Sequence, residues 1–421
     1  MNEVTDGLED KKTGKYVLTF FATIFLSIGV SVLFFFTIKV IISHSLTTDS
    51  NTVDLAKFGT FGDFIGGAVG TLFSLAGFFI LYLTLKEQRE NFHRERLEST
   101  FFELIKLHRE NVSEMQYSYY VTKVDDLTEI EKVTAEKRKV FKIIFTQFKE
   151  AWDELNHIFS ESSIEEIYEK EYLIKIRQNH EVQERKIDLK QLAQIDVIYL
   201  IVFFGLSKED QLNILNVTRN RYNRLFIDKV IKFASLKPKR ESSFWENWDF
   251  IHKNNRELFD EIVNKREGKR YYPGIDHYGV DKKGEVLKFV IYYPDNYNKY
   301  YGGHQFRLGH YFRHIFQTVK FIDNEESLST KEKYNYIKTL RGQLSNYEQI
   351  IFFLNSLSEV GRTWEFMKKN KPNEYIKKEK QLITKYNLIK NIPAQYIANN
   401  INILDYYPNL DYEVFNGQVK I

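Results

Sequence analysis

The chain has no cysteine among its 421 residues. Disulfides, thiolate nucleophiles and cysteine-ligated zinc or iron–sulfur centres are therefore excluded. Proline is almost as scarce, at six residues, which leaves room for long uninterrupted helices. Excess charge of one sign is also missing: 60 Lys and Arg against 57 Asp and Glu leave a formal net charge of +3. That balance makes neither an acidic tail nor a general attractor for nucleic acid. The chain lacks a Walker A loop, a GxGxxG turn after a strand, a GxSxG elbow and an HExxH helix. No cofactor is expected, and these absences point away from an enzyme.

Two long apolar runs are present. Tyr16 to Ile38 is 23 residues without a charge, and Phe64 to Leu85 is a second run of 22. At 1.5 Å per residue the first reaches roughly 34 Å, enough to cross a hydrocarbon core. A signal peptide has a shorter apolar core and is not followed at once by a second span. Lys11, Lys12 and Lys15 precede the first run, and Lys86, Arg89, Arg94 and Arg96 follow the second. The loop between them holds only Lys39 and Lys57. The positive-inside rule then places both termini in the cytoplasm and the loop outside.

The expected organisation is a tail (1–15), a first span (16–38), an external loop (39–63), a second span (64–85), a helical stalk (86–120) and a large helical cytoplasmic domain (121–421). Gly62, Gly66, Gly70 and Ser74 form a small-residue stripe at the second span's entrance. It suits close packing, either on the first span or between copies in a homo-oligomer. Asp63 stands where that span begins and is read as its N-cap, with an ion-sensing or pore-lining acid as the other reading.

Within the large domain, Val140 to Phe159 is amphipathic, and Ile195 to Leu206 is intensely apolar but too short to span. Ser207 to Leu236 continues as helix, and Lys237 to Arg240 marks a loop. The Gly- and Pro-containing stretch 271–303 predicts an irregular insert with a β-hairpin. Leu308, Phe312, Ile315, Val319 and Ile322 step by 4, 3, 4, 3 along a helix. Ile337, Leu340, Leu344, Tyr347, Ile351 and Leu354 predict another, and a last helix is expected over about 373–386.

Several blocks together resemble the bacterial phage abortive infection proteins of the AbiC type. They are Phe61-Gly62-Asp63-Phe64-Ile65-Gly66-Gly67, Lys86-Glu87-Gln88-Arg89, Glu98-Ser99-Thr100-Phe101-Phe102-Glu103-Leu104 and Leu107-His108. The most specific runs from Gly303-His304-Gln305-Phe306-Arg307 to Gly309-His310-Tyr311-Phe312-Arg313-His314. Lys320-Phe321-Ile322-Asp323, Lys333-Tyr334 and Gln343-Leu344-Ser345 follow. The resemblance implies antiviral defence at a bacterial inner membrane, in which a phage-derived trigger sets off an effector. It implies no reaction.

His304, Arg307, His310, Arg313 and His314 concentrate the chemistry-bearing side chains. On a helical wheel Arg307, Tyr311, His314 and Thr318 share one flank, with His310 beside them and Arg313 opposite. Three readings stay open. The residues cover a packed helix; or they bind an anion without chemistry; or they form a ribonuclease site like that of HEPN domains. In the last, His314 would act on a ribose hydroxyl and Arg307 would hold the phosphate of RNA. Arg307 and His314 enclose six residues, the long limit of that motif, and Leu308 departs from its usual polar residue. His310 and His314 lack a third ligand at metal-site spacing.

Overall fold

A computed structural model describes residues 2–42, 55–122, 130–254, 275–280, 286–291, 298–365, 381–392, 397, 401–415 and 418–419. It is mostly helical and divides into two compact units, Met1–Glu103 and Leu104–Ile421.

The first unit is built from α1 (Asn2–Ile42), α2 (Leu55–Phe64), a π-helical turn (Ile65–Val69) and the start of α3 (Gly70–Ser113). Two stretches, Tyr16–Ile42 and Leu55–Ser113, are long and apolar enough to cross a membrane. Their large apolar side chains face outward: Phe20, Phe34 and Phe78 are more than 60% exposed, whereas small Ala22 and Ala76 are buried. Exposed apolar surface on this scale is costly in water and is matched by lipid. The two helices meet at Gly29, where a Cβ would lie 2.7 Å from the Phe73 ring, and Phe25 stacks on Phe79 at 6.0 Å.

Helix boundaries here differ from the charge-free runs. The helices continue through polar flanks, because loss of hydropathy does not end a helix without a breaker or cap. Asp63 therefore lies inside α2, which starts at Leu55, and is not an N-cap. Gly62 and Gly66 have no neighbour within 4 Å of where a Cβ would stand, and Gly70 meets only a carbonyl of the adjoining turn. The stripe lies open while α1 packs at Gly29.

In the second unit α3 stops at Ser113, and the chain turns into a hairpin of β1 (Gln116–Thr122) and β2 (Ile130–Glu136). The expected helical stalk to residue 120 is thus overturned at its end. Aromatic and β-branched residues in QYSYYVT favour the strand. Next come α4 (Lys139–Glu161), α5 (Ile164–Ile167), α6 (Lys170–Arg177), α7 (His180–Glu184), α8 (Leu189–Phe204), α9 (Lys208–Thr218), α10 (Arg224–Ala234) and α11 (Trp245–Asn254). Strands β3 (Ile275–Val280) and β4 (Val286–Ile291) form a hairpin in the insert.

Then follow α12 (Gln305–Asp323), α13 (Thr330–Arg341), α14 (Asn346–Leu357), α15 (Leu382–Tyr386) and α16 (Ile403–Tyr406), with β5 (Val414–Phe415) paired to β6 (Gln418–Val419). The stripe from Ile337 to Leu354 is not one helix. It breaks between Arg341 and Asn346, because Ser345 and Glu348 form a capping box that starts a new one. Of the helix expected over 373–386, Leu382–Tyr386 is helical and the part before 381 lies outside the described residues.

Helix α8 is the centre of this unit. Asp188 caps it, every side chain from Leu192 to Phe204 is buried, and α4 and α14 pack against it. It ends at Gly205, with φ +93°. There the chain returns: Leu206 N–H donates to the Tyr301 carbonyl at 2.9 Å, and His304 N–H to that of Phe203 at 2.8 Å. This crossing sets the start of α12.

Candidate functional site

The sequence stripe of α12 is its packed face: Leu308, Phe312, Ile315, Val319 and Ile322 are all buried. Beside it, the polar side chains are engaged. His304 is buried, with Nε2 2.8 Å from Gln147 Oε1 and its ring 4.8 Å from that of Tyr117. Arg307 donates from Nε to the Gln116 carbonyl at 2.8 Å and lies over the Tyr117 ring. His314 Nε2 is 2.8 Å from the Leu104 carbonyl, so this nitrogen carries the proton. Both members of the Arg307/His314 pair thus hold main-chain oxygens of the segment that enters the unit.

Next to them is a buried polar network that centres on Glu348, which is fully buried. Tyr311 donates its hydroxyl to Glu348 Oε1 at 2.9 Å, Ser345 N–H donates to Oε2 at 2.7 Å, and Arg138 Nε lies 3.5 Å away. His108 is also buried, 3.9 Å from the same carboxylate, and neither ring nitrogen has a hydrogen-bond partner among the described residues. Sequence reading placed Leu107-His108 in a family-like block but assigned it no role. The legible signal is that His108 falls on the stripe of Phe101, Ile105 and Val112, all buried.

Burial, reinforced by His314, Arg138 and Arg109, pushes the His108 pKa down to about 4. Burial and then Arg307 push that of His304 down to about 3. In the unfolded chain both sit near 6.5, so folding favours the neutral rings. Their contribution is complete above pH 6.5 and is lost as pH falls towards 4, at up to about 1.4 kcal/mol per histidine for each pH unit. The melting temperature of the detergent-solubilised protein should fall between pH 7 and 5. A His108→Gln/His304→Gln protein should lose less over that interval, and equal slopes for the two proteins would contradict the assignment.

The outward face of α12 is different. Gln305, Gly309 and Arg313, spaced four residues apart, line a cleft of about 400 Å³ together with Phe306 and His310. Phe203 and Phe204 from α8 and Asp210 from α9 form the other wall. Arg313 and His310 have no hydrogen-bond or ion-pair partner among the described residues. Of the five predicted residues, the structure therefore sets His310 and Arg313 together at this cleft. It sets His304, Arg307 and His314 among packed neighbours. Gly309 belongs to the family-like block of the sequence without a role there, and Asp210 belongs to no motif. Among the described residues no group of three or more His, Asp or Glu side chains could hold a metal.

These features define a mostly helical protein with two helices of membrane-spanning length and a large helical unit that carries an open polar cleft. Residues 303–397 match a family model, putAbiC, described as "Putative phage abortive infection protein". The matched segment starts at the glycine crossing and includes the cleft side of α12 and, from the buried network, Tyr311, Ser345 and Glu348. No curated protein and no solved structure matches the chain.

Proposed function

We propose that the chain is an antiviral protein of the abortive infection kind, anchored in a bacterial inner membrane by two spans with both termini in the cytoplasm. Its large unit senses a phage-derived signal, and its spans, assembled as a homo-oligomer, carry the outcome to the lipid bilayer. The observation that carries this reading is the match of residues 303–397, in a chain whose N-terminal helices expose apolar side chains along their length. The ribonuclease alternative is weakened by the engagement of Arg307 and His314 with the Gln116 and Leu104 carbonyls. An anion-binding module remains compatible with His310 and Arg313.

Membrane potential and RNA integrity followed in the same cells after infection separate these readings. Depolarisation with intact RNA is expected. RNA cleavage in cells that remain polarised would reject the membrane reading. Gly66→Leu/Gly70→Leu should insert normally, since a Cβ at Gly66 would meet nothing within 4 Å and one at Gly70 only the Ile65 carbonyl at 3.8 Å. It should nevertheless lose protection, because bulky side chains keep two backbones apart. Full protection by that variant removes the stripe from the mechanism.

A further inference from the structure

We propose that the cleft between α12 and the α8–α9 wall is a binding site for a nucleoside phosphate. The proposal deepens the sensing half of the proposed function and rests on it only for its consequence during infection.

The first observation is Gly309. It lies inside a 19-residue helix, and a Cβ there would meet no atom within 4 Å. Glycine at such a position weakens a helix relative to alanine by roughly 0.5–1 kcal/mol, and no close packing here requires it. Its lack of a side chain leaves the wall of the cleft open. Residues that break a local rule with no structural return cluster at functional sites.

The second observation is the polarity of the two walls. On the α12 side stand Arg313, a guanidinium with no partner among the described residues, and His310, also free. The main-chain N–H groups of Gln305 and Phe306 have no main-chain acceptor among the described residues, and His304 makes no side-chain cap. This wall is rich in donors and positive. Facing it is the Asp210 carboxylate, which accepts a hydrogen bond from the Ser207 hydroxyl and has further lone pairs. A ligand that satisfies both walls is anionic at one end and presents hydroxyl or amino donors at the other. The Phe306 ring is 65% exposed, with the Arg307 guanidinium 4.1 Å from its centroid, and offers a platform on which a planar base can stack. Inorganic phosphate would leave Asp210 and Phe306 unused. The cleft's volume is in the range of small-ligand sites.

Titration calorimetry on the full chain in detergent tests this, with AMP, GMP, CMP, UMP, inorganic phosphate and a 5′-phosphorylated RNA oligonucleotide as probes. At least one nucleoside monophosphate should bind, at least about tenfold more tightly than inorganic phosphate. Arg313→Gln should weaken it by about tenfold or more, the loss of a charge-assisted contact. Gly309→Ala should raise the melting temperature of the unliganded protein yet abolish binding, so unfolding cannot account for the loss. No binding of any mononucleotide to folded protein overturns the site, as does wild-type affinity in Gly309→Ala. Phosphate binding as tightly as the nucleotides overturns the nucleoside half, and binding of the oligonucleotide alone overturns the small-molecule assignment. Binding lost with phage protection intact would leave the site standing and reject its sensing role.

Discussion

Gly303→Ala should cost the second unit at least about 3 kcal/mol, whereas Gly302→Ala beside it should change stability by less than about 0.5 kcal/mol. The two glycines are neighbours, but their surroundings differ. Gly303 has φ +80°, and a Cβ there would lie 2.2 Å from the Phe204 carbonyl oxygen and 2.6 Å from its carbon. A left-handed backbone alone costs an L-residue roughly 1–2 kcal/mol. The contact is worse, because the obstacle is main chain at the rigid end of α8 and no rotamer relieves it. Separation of the two chain segments would break the bonds from His304 to Phe203 and from Leu206 to Tyr301. At Gly302 nothing lies within 4 Å. Thermal unfolding of both variants is the measurement. Similar melting temperatures for the two would show that the crossing is not as tight as described.

Asp196→Ala should destabilise by about 3–5 kcal/mol, the usual result of stripping one partner from a buried ion cluster. Asp196 has no exposed surface, although it stands in the most apolar helix of the unit. Its carboxylate accepts from Arg221 Nη1 at 2.9 Å, from the Tyr222 hydroxyl at 2.7 Å and from Glu359 N–H at 2.9 Å. Arg362 Nη2 is 3.5 Å away. Arg221 also pairs with Glu359, and Arg362 donates to the Tyr172 hydroxyl at 2.6 Å. Removal of the carboxylate leaves two guanidiniums, 7% and 11% exposed, with fewer counter-charges than they need. Asp196→Asn, which keeps shape and loses charge, should fall between. The exposed pair Arg177–Glu165 is a contrast, and Glu165→Gln should leave the denaturation midpoint almost unchanged, because water screens both charges. Denaturant midpoints for the three variants give the ranking, and a Glu165→Gln loss as large as that of Asp196→Ala would contradict it.

The sequence showed some of this and hid the rest. Helices α4 and α12 were readable because each buries one stripe at helical spacing. Helix α8 is readable as a central core helix, but its own run does not say what Asp196 meets. An acid in an otherwise apolar run is a signal that it has buried partners, and those partners come from 25 to 166 residues further along the chain. The break between α13 and α14 was also legible in principle, since Ser345 and Glu348 have capping-box spacing. The apolar stripe overrode it, because the period of 3.5 continues across the gap by coincidence of packing. The hairpin β1–β2 is hidden in a similar way, because no proline or glycine stands between Ser113 and Gln116 to mark the end of α3.

The candidate site divides along the same line. The helical wheel placed Arg313 opposite Arg307 and His314, and that angle is a local property of α12. It did not disclose what stands against each face. Arg307 meets a carbonyl 191 residues earlier, His314 one 210 residues earlier, and the cleft's far wall is made by α8 and α9.

By itself, therefore, the sequence determined the two apolar helices of membrane-spanning length, the mainly helical class and the family-like block around α12. Each depends on hydropathy or periodicity within a few turns of chain. Only the tertiary structure decided that Gly303 must be glycine, that Asp196 bridges two arginines, and that His310 and Arg313 face a cleft while His314 does not. Those outcomes depend on which distant segments pack together, and the free energy of such contacts is set by geometry across the fold rather than by any pattern along the chain.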